Sequence, residues 1–183
     1  PYNAKVLSGK ETFSYFYKEN CVPNVVAWNK IYKRHLFDNI KYNEGCYFED
    51  ELIALPLFYK AKKVSFVRVP LYNYVQRQGS IMNTPLTLKK VKDKKLMYNQ
   101  RIRFFIKNKD KAMYNATVQQ YKEWLILVKK SEVKDVNNSK LQLEYRKYFG
   151  VRDTNSVKLM FKDIIGFINL NMLTKIIKVK NNF

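Results

Sequence analysis

Three consecutive acids, Glu49, Asp50 and Glu51, open the apolar run Leu52–Phe58, and further on the chain reads Arg77-Gln78-Gly79-Ser80. A carboxylate can take the proton of a hydroxyl as it attacks. A guanidinium can steady an anion as it departs. Together they suit group transfer, in which a weak hydroxyl nucleophile is activated beside an anionic leaving group. Successive residues of a helix point about 100° apart, so Glu49 and Asp50 cannot both face one acceptor. The acids also have a plainer use, complementing the positive end of a helix dipole.

The elements that must position these residues follow from pattern. Residues 10–20 predict a short helix with Phe13, Phe16 and Tyr17 on one face and Ser8 as its cap. Val25–Trp28 predicts a brief apolar strand, and Lys30–Asp38 a helical turn turning Ile31, Tyr32, Leu36 and Phe37 inward. Asn43-Glu44-Gly45 is a turn. Glu49–Ala61 predicts a helix with Leu52, Leu55, Pro56 and Tyr59 near one stripe, kinked by Pro56. Val64–Val69 and Leu71–Gln76 predict strands, closed by a turn at Gln78-Gly79-Ser80.

After residue 84 the character changes. Leu88, Val91, Tyr98, Ile102 and Phe105 keep helical spacing through a lysine-rich segment, and Met113, Ala116, Tyr121, Trp124, Leu125 and Val128 repeat it. Leu141–Phe149 makes a third helix, ended by Gly150. Val157, Met160, Phe161, Ile164, Ile165 and Ile168 make the apolar stripe of a fourth. Leu173, Ile176 and Ile177, opposite Lys175, Lys178 and Lys180, form a short basic amphipathic tail. The organisation predicted is a mixed α/β part over 1–84 and a basic helical part over 85–183.

Composition bounds the function classes. The 183 residues are 46% hydrophobic and 15% aromatic, enough for a core and too apolar for wholesale disorder. Neither GxGxxG nor GxxxxGK[ST] occurs. A single His35, read as a solvated surface residue, excludes a zinc cluster of sequence neighbours, and Cys21 and Cys46 read as buried free thiols. The absence of a signal peptide and of an apolar run near the roughly 18 residues of a membrane span predicts a cytoplasmic, reducing setting. The net charge is +20. It divides unevenly: 12 Lys+Arg against 7 Asp+Glu over 1–84, and 23 against 8 over 85–183. Such a field attracts nucleic acid, anionic lipid or another polyanion. Lys outnumbers Arg by 28 to 7, where bidentate phosphate or base recognition favours Arg; AT-rich coding would give the same bias.

The stretch Val25–Met82 resembles the acceptor-side half of family-two glycosyltransferases, which have a GT-A fold. The family pattern W-N-K-L-Y-K-R-x-L-F stands here as Trp28-Asn29-Lys30-Ile31-Tyr32-Lys33-Arg34-His35-Leu36-Phe37. E-G-x-x-x-E-D is matched by Glu44-Gly45 and Phe48-Glu49-Asp50, A-K-K by Ala61-Lys62-Lys63, and L-Y-x-Y-x-x-R-x-x-S-I by Leu71 to Ile81. The resemblance covers about a third of the chain, in order and spacing. It implies an α-rich α/β fold: a partial GT-A-like lobe with a few short strands, followed by a helical bundle.

It further implies an inverting transfer from a nucleotide-sugar donor to a glycan or lipid-linked acceptor in cell-surface polysaccharide synthesis. Asp50 would be the catalytic base, with Glu49 orienting the acceptor or capping the helix. Arg77 and Ser80 would contact the donor diphosphate, or else belong to an ordinary solvated hairpin. Trp28 and Lys30, with Tyr32, could line the acceptor groove, although a core role is the stronger reading for Trp28; Tyr72 and Tyr74 are packing or binding residues. Asn29-Lys30 could anchor the loop carrying Asp50.

The family's Asp-x-Asp motif, which holds a divalent metal (magnesium or manganese) and the nucleotide, occurs nowhere in the sequence. The chain, beginning at Pro1, therefore reads as the C-terminal part of such an enzyme, with the metal ligands elsewhere. The basic helices after 85 have two readings: packing on each other, which suits 85–150 better, and lying on an anionic membrane surface, which suits 156–180 better and would make the protein peripheral on the inner face of the plasma membrane. A non-catalytic glycan- or membrane-binding partner and a basic nucleic-acid-binding module are the other function classes open at this point; no recognition-helix pattern supports the latter.

Overall fold

The computed structural model describes residues 4–17, 25–67, 69–75, 80 and 84–180. The chain divides into two compact units, Pro1–Pro85 and Leu86–Phe183. Helix dominates: among the described residues there are six α-helices and one small two-stranded sheet, an α-rich α/β fold.

The first unit opens with β1 (Ala4–Leu7), which pairs antiparallel with β2 (Val64–Val67), Ala4 opposite Val67 and Leu7 opposite Val64. Ser8 then starts a 3-10 helix, Glu11–Tyr17, through a capping box. Its Oγ accepts the Glu11 N–H at 3.2 Å, and its own N–H donates to Glu11 Oε2 at 2.7 Å. Gly9 is required here: a Cβ would lie 1.7 Å from the Phe58 carbonyl oxygen. The turn thus sits directly on the end of α1 (Glu49–Lys60).

A second 3-10 turn, Arg34–Phe37, docks on the same helix. Leu36, Ile53 and Leu57 form a small core, with Tyr32, Phe37, Ile40 and Ala61 packed around it. Lys60 Nζ donates to the carbonyls of His35 at 2.6 Å and Leu36 at 3.3 Å, tying the turn to the helix end.

Several expectations change in this unit. Val25–Trp28 is not a strand: Val25 is helical and the chain then bends. Leu71–Val75 has no regular secondary structure, so the second predicted strand is absent from the described residues. Alternation alone does not make a strand; it needs a partner ladder. Ile31, expected inside, is fully exposed. α1 buries Leu52, Ile53, Ala54, Leu55, Leu57 and Phe58, most of its circumference, while Tyr59 of the expected stripe is half exposed. The helix runs on through Pro56, which forfeits its own N–H bond to Leu52 but leaves the flanking turns intact.

The second unit is helical throughout: α2 (Leu88–Lys107), α3 (Lys111–Lys130), α4 (Asn138–Lys147), α5 (Val157–Ile168) and α6 (Leu170–Lys180). Thr87, Asp110 and Asn137 cap α2, α3 and α4 by accepting the N–H groups of Lys90, Met113 and Lys140. α3 is the central helix, packed against α2, α4 and α6. The core includes Met97, Tyr98, Phe105, Tyr121, Trp124, Leu125, Val128, Tyr145, Leu170 and Leu173.

α5 turns its apolar stripe outward, the arrangement that the surface-binding reading of residues 156–180 calls for. Its buried residues are Asp163 and Gly166; Val157, Met160, Phe161, Ile164 and Ile168 of its stripe all face outward. A buried ion pair sets this orientation. Lys122 Nζ on α3 donates to Asp163 Oδ1 and to the Val151 carbonyl, each at 2.7 Å. Gly150, at φ +79°, turns its N–H onto Asp163 Oδ2 at 2.7 Å, and Arg152 lies 3.5 Å from the same oxygen. Gly166 lets α5 meet α4, since a Cβ there would stand 2.5 Å from the Tyr145 ring.

Candidate active site

Asp50 lies in the first turn of α1. Phe48 precedes that turn in the left-handed region, at φ 63°, and gives the helix no side-chain cap. The chain therefore enters the helix at a sharp angle. Asp50 Oδ1 accepts the Glu51 N–H at 2.8 Å. The side chain is partly buried, and burial is the main force raising its proton affinity. The nearby charges of Glu49 and Glu51 add to it, while the bond from Glu51 N–H opposes it. Glu49, one residue back, is exposed. The two acids thus occupy different environments, as their angular separation on the helix requires.

Lys30 is the cationic neighbour. Its Nζ donates to the Val26 carbonyl at 2.5 Å and to Asn29 Oδ1 at 2.7 Å, folding the 26–30 turn around the ammonium. Burial lowers its pKa to about 8, against the attraction of Asp50, which raises it. Tyr32 is pushed up to about 12, first by burial and then by Tyr42 and Asp50. Burial and the charges of Asp50 and Glu49 also raise Tyr42. Lys30, Tyr32, Tyr42, Glu49 and Asp50 therefore form one electrostatic neighbourhood. Tyr32 meets Phe37 edge-on at 5.3 Å and Phe37 stacks on Tyr42 at 6.2 Å, so the Leu36–Ile53–Leu57 core holds both phenols beside the helix start.

Sequence reasoning gave Tyr42 no role. It has no helical or strand spacing to Asp50, and only the fold of residues 30–42 brings it there.

Trp28 is not core. It is 41% exposed and stacks on Tyr72 at 4.5 Å and on Tyr74 at 5.1 Å, both themselves about half exposed. Arg77 lies outside the described residues. Ser80 Oγ is buried, with no hydrogen-bond partner among the described residues. His35 is exposed, Cys46 is a partly buried free thiol, and Cys21 lies outside the described residues. Among the described residues no group of three His, Cys, Asp or Glu side chains could hold a metal ion. A recess of about 410 Å³, lined by Lys129, Gln142, Leu143, Arg146, Asn169 and Leu170, lies in the second unit.

Comparison with known proteins points the same way as the residues around Asp50. The chain is 29% identical over 86 residues to Glycosyltransferase GlyG of Streptococcus pneumoniae serotype 4, covering 47% of this chain and 29% of that protein. It is 28% identical over 207 residues to Cholesterol galactosyltransferase of Borreliella burgdorferi, covering 91% of this chain and 56% of that one. These are distant glycosyltransferase homologues, and the chain spans about half the length of one and under a third of the other. No family profile and no solved structure matches the chain.

Proposed function

We propose that this chain is the acceptor-side part of an inverting glycosyltransferase of family-two, GT-A type. It would act in cell-surface polysaccharide synthesis, moving a sugar from a nucleotide-sugar donor to a glycan or lipid-linked acceptor. The observation that carries the reading is Asp50: a carboxylate partly buried at a helix start, its proton affinity raised by burial, with Lys30, Tyr32 and Tyr42 as electrostatic neighbours.

In a single displacement the acceptor oxygen forms the new bond to the anomeric carbon while the bond to the diphosphate breaks. The acceptor proton passes to Asp50. A carboxylate of raised proton affinity is the better base for so weak an acid as a hydroxyl. Lys30 holds the turn and supplies positive charge beside Asp50, and the protonated phenols of Tyr32 and Tyr42 can donate hydrogen bonds to a saccharide. The exposed stack of Trp28 on Tyr72 and Tyr74 offers an aromatic face of the kind that sugar C–H groups pack against. Arg77 and Ser80 keep their proposed roles at the donor diphosphate. The described residues do not fit the divalent ion, magnesium or manganese, that the resemblance implies; the proton transfer needs only Asp50 and its neighbours.

The test is stereochemical. The whole encoded protein is assayed with a panel of nucleotide sugars against saccharide and lipid-linked acceptors, and the anomeric coupling of the product is read by proton NMR. Inversion is expected. Retention, or no transfer with any donor, contradicts the reading.

A further inference from the structure

α5 is a helix turned inside out. Its charged residue Asp163 and its glycine are buried, while Val157, Phe161 and Ile168 are each about 60% exposed. Met160, Ile164 and Phe167 are each more than a third exposed. At about 100° per residue, Val157, Phe161, Ile164 and Ile168 share an arc of about 60°, and Met160 and Phe167 widen it to about 120°. Lys158, exposed, borders that arc on the other side. Contiguous exposed apolar surface of this kind marks an interaction site.

The exposure is built in. Rotating α5 to bury the stripe would strand Lys122 and Asp163, whose pairing is 2% and 1% exposed. Losing a buried pair in that way is strongly unfavourable.

The geometry points to the outward face of α5 as a docking surface for an anionic lipid bilayer, with the helix lying in the plane of the interface. Charge selects this occupant. Asp163 is the helix's only acid and faces inward, so the arc itself carries no carboxylate. Residues 85–183 hold 23 Lys+Arg against 8 Asp+Glu. A second copy would bring two such fields together and be repelled, whereas an anionic leaflet attracts them. Twelve residues of helix measure about 18 Å, too short for a hydrocarbon core of about 30 Å and suited to lying flat. No helix among the described residues is long and apolar enough to cross a membrane. This inference stands independently of glycosyl transfer.

The experiment is vesicle flotation of the whole chain with 70:30 phosphatidylcholine:phosphatidylglycerol and with pure phosphatidylcholine. The variants are Phe161→Ser/Ile168→Ser on the arc and Ile31→Ser, a fully exposed control in the first unit. Circular dichroism and sedimentation accompany each. The wild type and Ile31→Ser should float with the anionic vesicles, the double variant at least tenfold more weakly, and neutral vesicles should retain little. As a second measurement, Phe161→Trp should add a fluorescence component that brominated lipid quenches.

The proposal is overturned if folded wild type ignores anionic vesicles, or if the double variant binds equally. Self-association abolished by the double variant, or an unquenched Trp at 161 on vesicle-bound protein, would overturn it as well.

Discussion

Lys30 offers a direct reading of the environment around Asp50. Burial holds its pKa to about 8 rather than 10.5, and the attraction of Asp50 is what keeps it from falling further. At pH 8 about half of the Lys30 amines are then neutral, against roughly 0.3% for a lysine at the ordinary value, an excess of about 150-fold. The assay is NMR titration of the lysine side chains between pH 6 and 11, with Lys30 assigned by its loss in Lys30→Met. The midpoint should fall near 8, and in Asp50→Asn it should drop below the wild-type midpoint.

The stability sign follows. Lys30 is depressed in the fold, so its contribution is fully present above the unfolded value of 10.5 and lost as pH falls through 8. Relative to Lys30→Met, the wild type should therefore gain stability between pH 8 and 10.5. A Lys30 midpoint at 10 or above, or one that does not move in Asp50→Asn, would refute the burial and the electrostatic contact together.

Further outcomes concern stability. Burial raises the Asp50 pKa, so the carboxylate favours the fold below its unfolded value and costs stability as pH rises through the folded one. Asp50→Asn should melt higher than wild type at pH 7, and the gap should close on acidification. In the second unit, Lys122→Met leaves Asp163 without its closest charged partner and should cost about 3–5 kcal/mol in denaturant unfolding. Adding Asp163→Leu should recover most of that, because the pair is then replaced by apolar packing.

The helices of the second unit were legible because burial on one side of a helix repeats every 3.6 residues. Val91, Tyr98, Ile102 and Phe105 line the core of α2, and Tyr121, Trp124, Leu125 and Val128 that of α3. At α5 the same periodicity leaves the buried face undecided. A stripe shows that a helix has two faces, not which one is buried. That choice was made by Lys122, 41 residues from Asp163 in sequence.

The first unit was less legible. Its order comes from side-chain docking on α1 rather than from repeated pattern, and β1 is only 4 residues long. The paired acids and Lys30 could be read from motif. The nearness of Tyr42, and the stacking of Trp28 on Tyr72 and Tyr74, depend on turns that no spacing encodes.

The central claim is that Asp50 accepts the proton of the attacking hydroxyl. Its most direct measurement is the transfer rate of Asp50→Asn beside its donor affinity by calorimetry, in the whole encoded protein. Transfer should fall by about 10²–10⁴-fold with donor binding unchanged. Wild-type turnover in that variant would contradict the account.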